Sequence, residues 1–356
     1  MSGKTLTPSF ASDILKLITG TAIAQIITIL AYPILTRIYG PAAFGLFALF
    51  ISITAIIGVI ACLRYELAIM LPERDEEAAN ILGICFILVI IISLSLFPII
   101  YFLGDFFVNI INAPDLAHYL WLLPIFILVN GIFLALNYWT LRRTLFNRLS
   151  FTRVTSTLTT TVSQLSTGFT GYTTGGSLIF GSLLGSIVST GILGGQFFRD
   201  ERSTCKKNVS WNGIKIALKR YKKFPLIESG SALMNVLSWQ LPVLLLSIFF
   251  STTIVGYYSL GFSVLQMPMN VIGGALTQVF FQGAVKAHSD GQLHFIVGNF
   301  FIILVLIGIF PLIVISLLGS DLFSLIFGEV WAEAGFYAQI LSLWGFVWFI
   351  SSPLSS

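Results

Sequence analysis

"LTRIYGPAAFGLFAL", Leu35 to Leu49, reads as an apolar helix end, a short turn and a second apolar run opened by Gly45. At an offset of 211 residues stands "LSIFFSTTIVGYYSL", Leu246 to Leu260, again with a short turn and with Gly256 in the place of Gly45. One turn between long apolar runs, found twice, implies a chain built from two copies of one plan. The plan is a membrane one. Of 356 residues, 56% are hydrophobic and 10% charged, the mean hydropathy is +0.94, and apolar runs of twenty or more recur along the chain. No polar segment exceeds about 27 residues, which leaves no room for a soluble domain.

Counting runs long enough to cross about 30 Å of hydrocarbon gives ten spans. Their approximate limits are 14 to 38, 42 to 70, 78 to 103, 117 to 140, 149 to 171, 176 to 198, 225 to 250, 253 to 281, 295 to 318 and 334 to 352. The fifth holds eleven Ser or Thr between Phe151 and Thr170, whose hydroxyls are expected to bond their own helix carbonyls. Runs of this length make an all-α polytopic membrane protein; barrel strands would alternate over about ten residues. The repeat predicts two bundles of six spans. With an even number of spans per copy the repeats are parallel, related by an axis along the membrane normal, with a path between them. Residues 1–198 form the first bundle, 199–224 a basic linker and 225–356 the second. That second bundle lacks two spans, so a C-terminal truncation is expected.

Lysine and arginine set the orientation. An N-terminus in the cytoplasm puts 18 of the 19 cations on the inner side and leaves Arg37 at the outer end. The outer loops "GDFFVNIINAPDL" and "GSDLFSLIFGEVWAEAG" carry acids and no Lys or Arg. Cys62, Cys85 and Cys205 have neither paired nor metal-ligand spacing, and His118, His288 and His294 are scattered, so no disulfide framework, metal site or catalytic set is indicated. The polar start "MSGKTLTPSFASD" is not a cleavable signal. No Walker-type loop is present, and no cofactor or nucleic-acid partner is expected.

Polar residues inside spans face protein or water, and so mark a path. The first span carries Thr21, Gln25, Thr28 and Tyr32 on one stripe. The seventh carries Ser231, Asn235, Ser238 and Pro242 at the same spacing, within one residue of the repeat offset. Gln266, Asn270 and Thr277 continue the rhythm in the eighth. Hydrogen bonding between helices is the plainer account of any single stripe; three in repeat-related positions favour a shared cavity. "GSLLG" (Gly181 to Gly185) and "GILGG" (Gly191 to Gly195) are small-residue patterns expected to pack helices. In the linker, Trp211, Ile214, Leu218 and Tyr221 oppose Lys215, Lys219 and Lys222, which predicts an interfacial helix on anionic membrane lipids.

"RYELAIMLPERDEEAANIL", "LTRIYGPAAFGLFAL" and "KKFPLIESGSALMNVLSWQLPVLLLSIFF" together resemble the oligosaccharide flippase (polysaccharide biosynthesis) family of the multidrug, oligosaccharidyl-lipid and polysaccharide exporter superfamily. The likeness covers almost the whole chain. It implies a bacterial inner-membrane protein of twelve or more spans. Such a protein moves a polyprenyl-pyrophosphate-linked oligosaccharide from the cytoplasmic to the periplasmic face by alternating access, for polysaccharide or lipopolysaccharide O-antigen biosynthesis. A polysaccharide polymerase and a chain-length regulator are the implied protein partners.

Arg64 and Glu66 then acquire a meaning. Standing two apart in a helix continuous to residue 70, they would point to different faces, with Arg64 roughly 9 Å above the inner helix end. Arg64 either snorkels to the headgroups or faces the cavity and binds the pyrophosphate, for which guanidinium has the right fork. Arg37 is an interfacial anchor or a late contact for the same anion. Glu66 and Glu228 are candidate ion-coupling acids, with helix capping the competing role for Glu228. Behind Pro72, Asp75 is expected to cap the third span, with Glu76 and Glu77 complementing its dipole. A drug or metabolite/cation antiporter of the same superfamily would favour acidic and aromatic cavity residues. A membrane glycosyltransferase or polymerase would need an acid–base pair that the short outer loops do not offer.

Overall fold

The computed structural model describes residues 8–201, 208–268 and 293–354. Among them are thirteen α-helices: α1 (Pro8–Ile38), α2 (Pro41–Gly58), α3 (Tyr65–Ala68), α4 (Asp75–Ile110), α5 (Ala117–Leu120), α6 (Leu123–Arg142), α7 (Phe146–Phe169), α8 (Gly175–Asp200), α9 (Trp211–Arg220), α10 (Ser229–Phe249), α11 (Thr252–Pro268), α12 (Leu293–Phe327) and α13 (Ala332–Leu354). Eight of the helical segments are long and apolar enough to cross a membrane. The other two expected spans are α7, diluted by its hydroxyl residues, and α11, of which 17 residues are described. The hydroxyls of α7 behave as expected: Thr152, Thr155, Thr159 and Thr167 each donate to the carbonyl four residues earlier.

The repeat is visible residue for residue at its turn. Helix α1 ends at Ile38 and α2 begins at Pro41; 211 positions on, α10 ends at Phe249 and α11 begins at Thr252. Helices α4 and α12 each contain a proline, Pro98 and Pro311, and each leads through a single 3₁₀ turn, Pro114–Leu116 or Glu329–Trp331, into the next span. Thus α1, α2, α4 and α6 correspond to α10, α11, α12 and α13. Both long helices outrun their expected limits. Asp105 and Asp321 are isolated acids in apolar sequence and do not break a helix; the ends come where Asn112 and Gly328 take positive φ, 52° and 110°.

The second span is a correction. It does not run to residue 70. Helix α2 stops at Gly58, the chain turns through 59–64, and α3 holds one turn before a second bend leads to Asp75. Leu63 and Arg64 both adopt left-handed backbone, φ 48° and 63°. Each costs a non-glycine residue about 1–2 kcal/mol, and the unbroken apolar run "VIACL" gives no hint of it.

Two compact units emerge, residues 1–28 with 46–252, and residues 29–45 with 253–356. In the first, Cys62, Tyr65, Ile69, Ile81, Cys85, Val89, Ile127 and Trp139 make a continuous core beneath α3. Helix α9 docks on this core through Ile214, Ala217 and Tyr221, while Trp211 and Ile216 stay exposed. The expected apolar face is therefore split between protein and surroundings. Helix α10 also belongs to this unit: Ser52 of α2 donates to Gln240 at 2.8 Å, and Ser247 donates to the Ile111 carbonyl. In the second unit α12 and α13 touch backbone to backbone, since a Cβ on Gly335 would lie 2.3 Å from the Gly319 carbonyl oxygen. Here the end of α1 is held by Trp331, whose Nε1 donates to the Thr36 carbonyl at 2.8 Å. Thr36 and Ser247 are 211 residues apart. The first helix of each repeat thus lodges its end beside the 3₁₀ turn of the other.

Candidate functional site

The break after α2 builds the site. With Arg64 left-handed and Glu66 in the first turn of α3, the two side chains converge: Arg64 Nη1 lies 3.4 Å from Glu66 Oε1. The expectation of opposite faces assumed a helix that is not there. Glu66 is fully buried and Arg64 retains 27% side-chain exposure, so the guanidinium is the member of the pair that a ligand can reach. Neither carboxylate oxygen of Glu66, nor Arg64 Nε, has a hydrogen-bond partner among the described residues. Leaving such groups buried and unsatisfied costs about 1–3 kcal/mol each, and more when charged. Burial pushes the Glu66 carboxyl above the usual carboxylate range, against the opposing pull of its own backbone and of Arg64. Tyr138 on α6 feels both charges and completes the surroundings; its place in a span of ordinary amphipathic pattern gave no signal in the sequence.

A rigid ionic frame holds α3 in place. Arg142, at the end of α6, donates to the Ile69 and Pro72 carbonyls at 3.1 and 2.6 Å and pairs with Asp75 at 3.1 Å. Arg143 pairs with Asp75 and Glu201 at 2.8 and 2.6 Å. Glu77 takes Arg220 at 2.9 Å and the Tyr221 hydroxyl at 3.0 Å. Burial and the neighbouring Glu77 carboxylate raise the pKa of that phenol. The acidic cluster is therefore structural, but through ion pairs between helices. Asp75 is the first residue of α4 and does not cap it; Arg74 occupies the cap position, without a side-chain cap bond.

The other sequence candidates fare unevenly. Thr21 accepts from Arg153 at 2.6 Å, and Thr28 donates to the Ala24 carbonyl at 3.0 Å, so both are engaged by protein; Gln25 is half-buried between them. Tyr32 lies in the second unit, against Phe44 and within reach of Ser263. The α1 stripe is thus divided between the units. Ser231, Asn235 and Ser238 are exposed along α10, Ser238 donating to Met234. Gln266 is half-buried, and Asn270 lies outside the described residues. Glu228 is exposed at the end of a π-helical turn, Phe224–Glu228, that leads into α10. Arg37 donates to the Leu325 carbonyl at 3.3 Å and so helps to tie α1 to the end of α12.

That end of the second unit forms an aromatic seat. Trp331 is buried, with Phe44 edge-on at 5.1 Å and Tyr257 at 6.1 Å. Beside it α2 and α11 cross closely: a Cβ on Gly256 would stand 1.9 Å from the Pro41 carbonyl oxygen and 3.1 Å from Gly45 N. The two glycines that mark the repeat meet at this crossing, where only glycine fits.

Comparison with known proteins agrees with this architecture. A solved structure described as the inward-facing conformation of a multidrug resistance MATE family transporter of the MOP superfamily aligns with a TM-score of 0.65 and 18% identity, covering 95% of this chain and 88% of that one. No curated protein matches. The family described as "Polysaccharide biosynthesis protein" matches residues 34–335, a stretch running from the turn of the first repeat to the fourth span of the second. This chain, with the helical fold of a MOP-superfamily transporter, belongs to that polysaccharide biosynthesis protein family.

Proposed function

We propose that this protein translocates a polyprenyl-pyrophosphate-linked oligosaccharide from the cytoplasmic to the periplasmic face of a bacterial inner membrane by alternating access, with its N-terminus in the cytoplasm. The observation that carries the reading is the Arg64–Glu66 pair: a strained, partly accessible guanidinium whose Nε is unsatisfied, set against a buried carboxylate. A diphosphate offers the fork of oxygens that such a guanidinium lacks. Backbone strain of this kind is expected at sites where geometry is held for a ligand. In exchange for the anion, Glu66 is free to take a proton, which makes it the ion-coupling acid of the cycle. The exposed Ser231, Asn235 and Ser238 suit sugar hydroxyls. An interior-negative potential pushes an anion outward with about 2.3 kcal/mol per charge per 100 mV, so no ATP is required.

Family and fold support a transporter. Deleting the gene in a strain without a paralogue should make the lipid-linked unit accumulate on the cytoplasmic face, with export restored on complementation. Normal export in the deletion strain would refute the assignment.

A further inference from the structure

Helix α9 is fixed to the start of α4 at several points. Asn80 accepts from Ser210 N at 2.9 Å and donates to the Asn208 carbonyl at 3.0 Å, while the Ser210 hydroxyl caps α9 by accepting from Gly213 N. Val209 and Ile214 lie against Gly83, and Glu77 holds Arg220 and Tyr221 at the other end. These attachments fall between Glu77 and Gly83, about 9 Å of helix rise. There the sequence of α4 passes from "DEEAAN" to the apolar run that begins at Ile81, so α9 lies at the depth of lipid headgroups.

The outward face of α9 suits that depth. Ile214, Ala217 and Tyr221 are buried, and the opposite side of the helix carries Lys215, Ile216 and Lys219. Trp211 and Ile216 are 64% and 65% exposed, and Lys215 Nζ stands over the Trp211 ring at 5.6 Å. Arg220 is neutralised by Glu77. Lys215, Lys219, Lys222 and Lys223 are exposed and form no ion pair among the described residues. Four unneutralised cations call for anions, and the apolar side chains among them call for hydrocarbon. An anionic bilayer surface supplies both; a soluble polyanion supplies only the first.

The inner side of the same helix reaches the Arg64 site. Tyr65 donates its hydroxyl to the Leu218 carbonyl at 3.2 Å, and Tyr65 stands between Arg64 and Glu66 in the chain. Leu218 adjoins Lys219, so one helical turn carries both the link to α3 and part of the cationic face. We infer that the outward face of α9 binds anionic phospholipid headgroups and that this contact, through Tyr65, steadies α3 and the Arg64–Glu66 site. The role of that site rests on the function proposed above.

The test uses the full chain in nanodiscs of phosphatidylcholine, with and without phosphatidylglycerol. Phosphatidylglycerol bearing a photoreactive group on its acyl chain, just below the glycerol, should label residues 209–223 about tenfold more than phosphatidylcholine bearing the same group. A variant combining Lys215→Gln, Lys219→Gln, Lys222→Gln and Lys223→Gln should lose that preference, with an unchanged melting temperature because all four side chains are exposed. Phosphatidylglycerol should also slow hydrogen exchange of the backbone amides of residues 59–71 in wild type. That slowing should be lost in the four-lysine variant and in Tyr65→Phe, which keeps the lysines and loses the link. Equal labelling by the two lipids, a preference that survives loss of the lysines, or equal protection of α9 by soluble polyglutamate would overturn the lipid surface. Slowed exchange in Tyr65→Phe would overturn its link to the site. Neither readout uses a sugar-bearing substrate, so the two readings separate: lipid preference in a protein that exports no lipid-linked sugar would keep the surface and retire the flippase reading.

Discussion

Arg64 stands in left-handed backbone at φ 63°, a conformation that glycine adopts freely and arginine at a cost of about 1–2 kcal/mol. Arg64→Gly should therefore melt no lower than wild type in detergent by more than the loss of the Glu66 contact, while transport is abolished; a variant that transports normally would make the strain purposeless. Glu66 yields a pH prediction. Its carboxyl titrates above the ordinary value of 4.5, chiefly through burial. Between that ordinary value and its raised one the folded protein holds a proton that the unfolded chain does not, so stability falls as pH rises through the window. Melting temperature followed against pH should show this fall in wild type and a flatter profile in Glu66→Gln; identical profiles would remove Glu66 from the titration. The charges of this stretch were conspicuous in the sequence because they sit in apolar surroundings. Their pairing was not, since residues two apart meet only if the helix breaks, and "VIACL" is as apolar after Gly58 as before it.

At the scale of elements, hydrophobic run length located the eight helices among the described residues that are long and apolar enough to cross a membrane, because the cost of unsatisfied backbone in lipid leaves helices as the form such runs can take. Ends were harder. Helices α4 and α12 run past their expected limits because one acid in apolar sequence does not stop a helix, whereas the positive φ of Asn112 and Gly328 does. The small-residue patterns show the same limit: spacing shows that a partner can approach, and the fold shows that α7 does so at Gly181 and Gly185. Gly256 is the sharpest case of approach. Any side chain there collides with the Pro41 carbonyl, so Gly256→Val should force α2 and α11 apart beside Trp331. The expected result is a lower melting temperature by several degrees, about 1–3 kcal/mol of overpacking, together with lost transport. Unchanged melting and transport would mean that the crossing is looser than described.

For the whole molecule, an offset of 211 residues that joins two turns in the sequence also joins Ile38 to Phe249, Pro41 to Thr252, Gly45 to Gly256 and Thr36 to Ser247 in the structure. Duplication was therefore legible from composition and spacing alone. The lodging of each repeat's first helix beside the other's 3₁₀ turn was not, because it depends on contacts between residues more than 130 apart. The account of function rests on an anion held by a forked donor, and it is most directly tested by reconstitution. Wild type and Arg64→Lys, at matched abundance in vesicles, are given a polyprenyl-pyrophosphate oligosaccharide on one face, and its arrival on the other is timed. Lysine keeps the charge and loses the bidentate geometry, so the account predicts translocation by wild type and a clear loss in Arg64→Lys. Equal rates for the two proteins would contradict it.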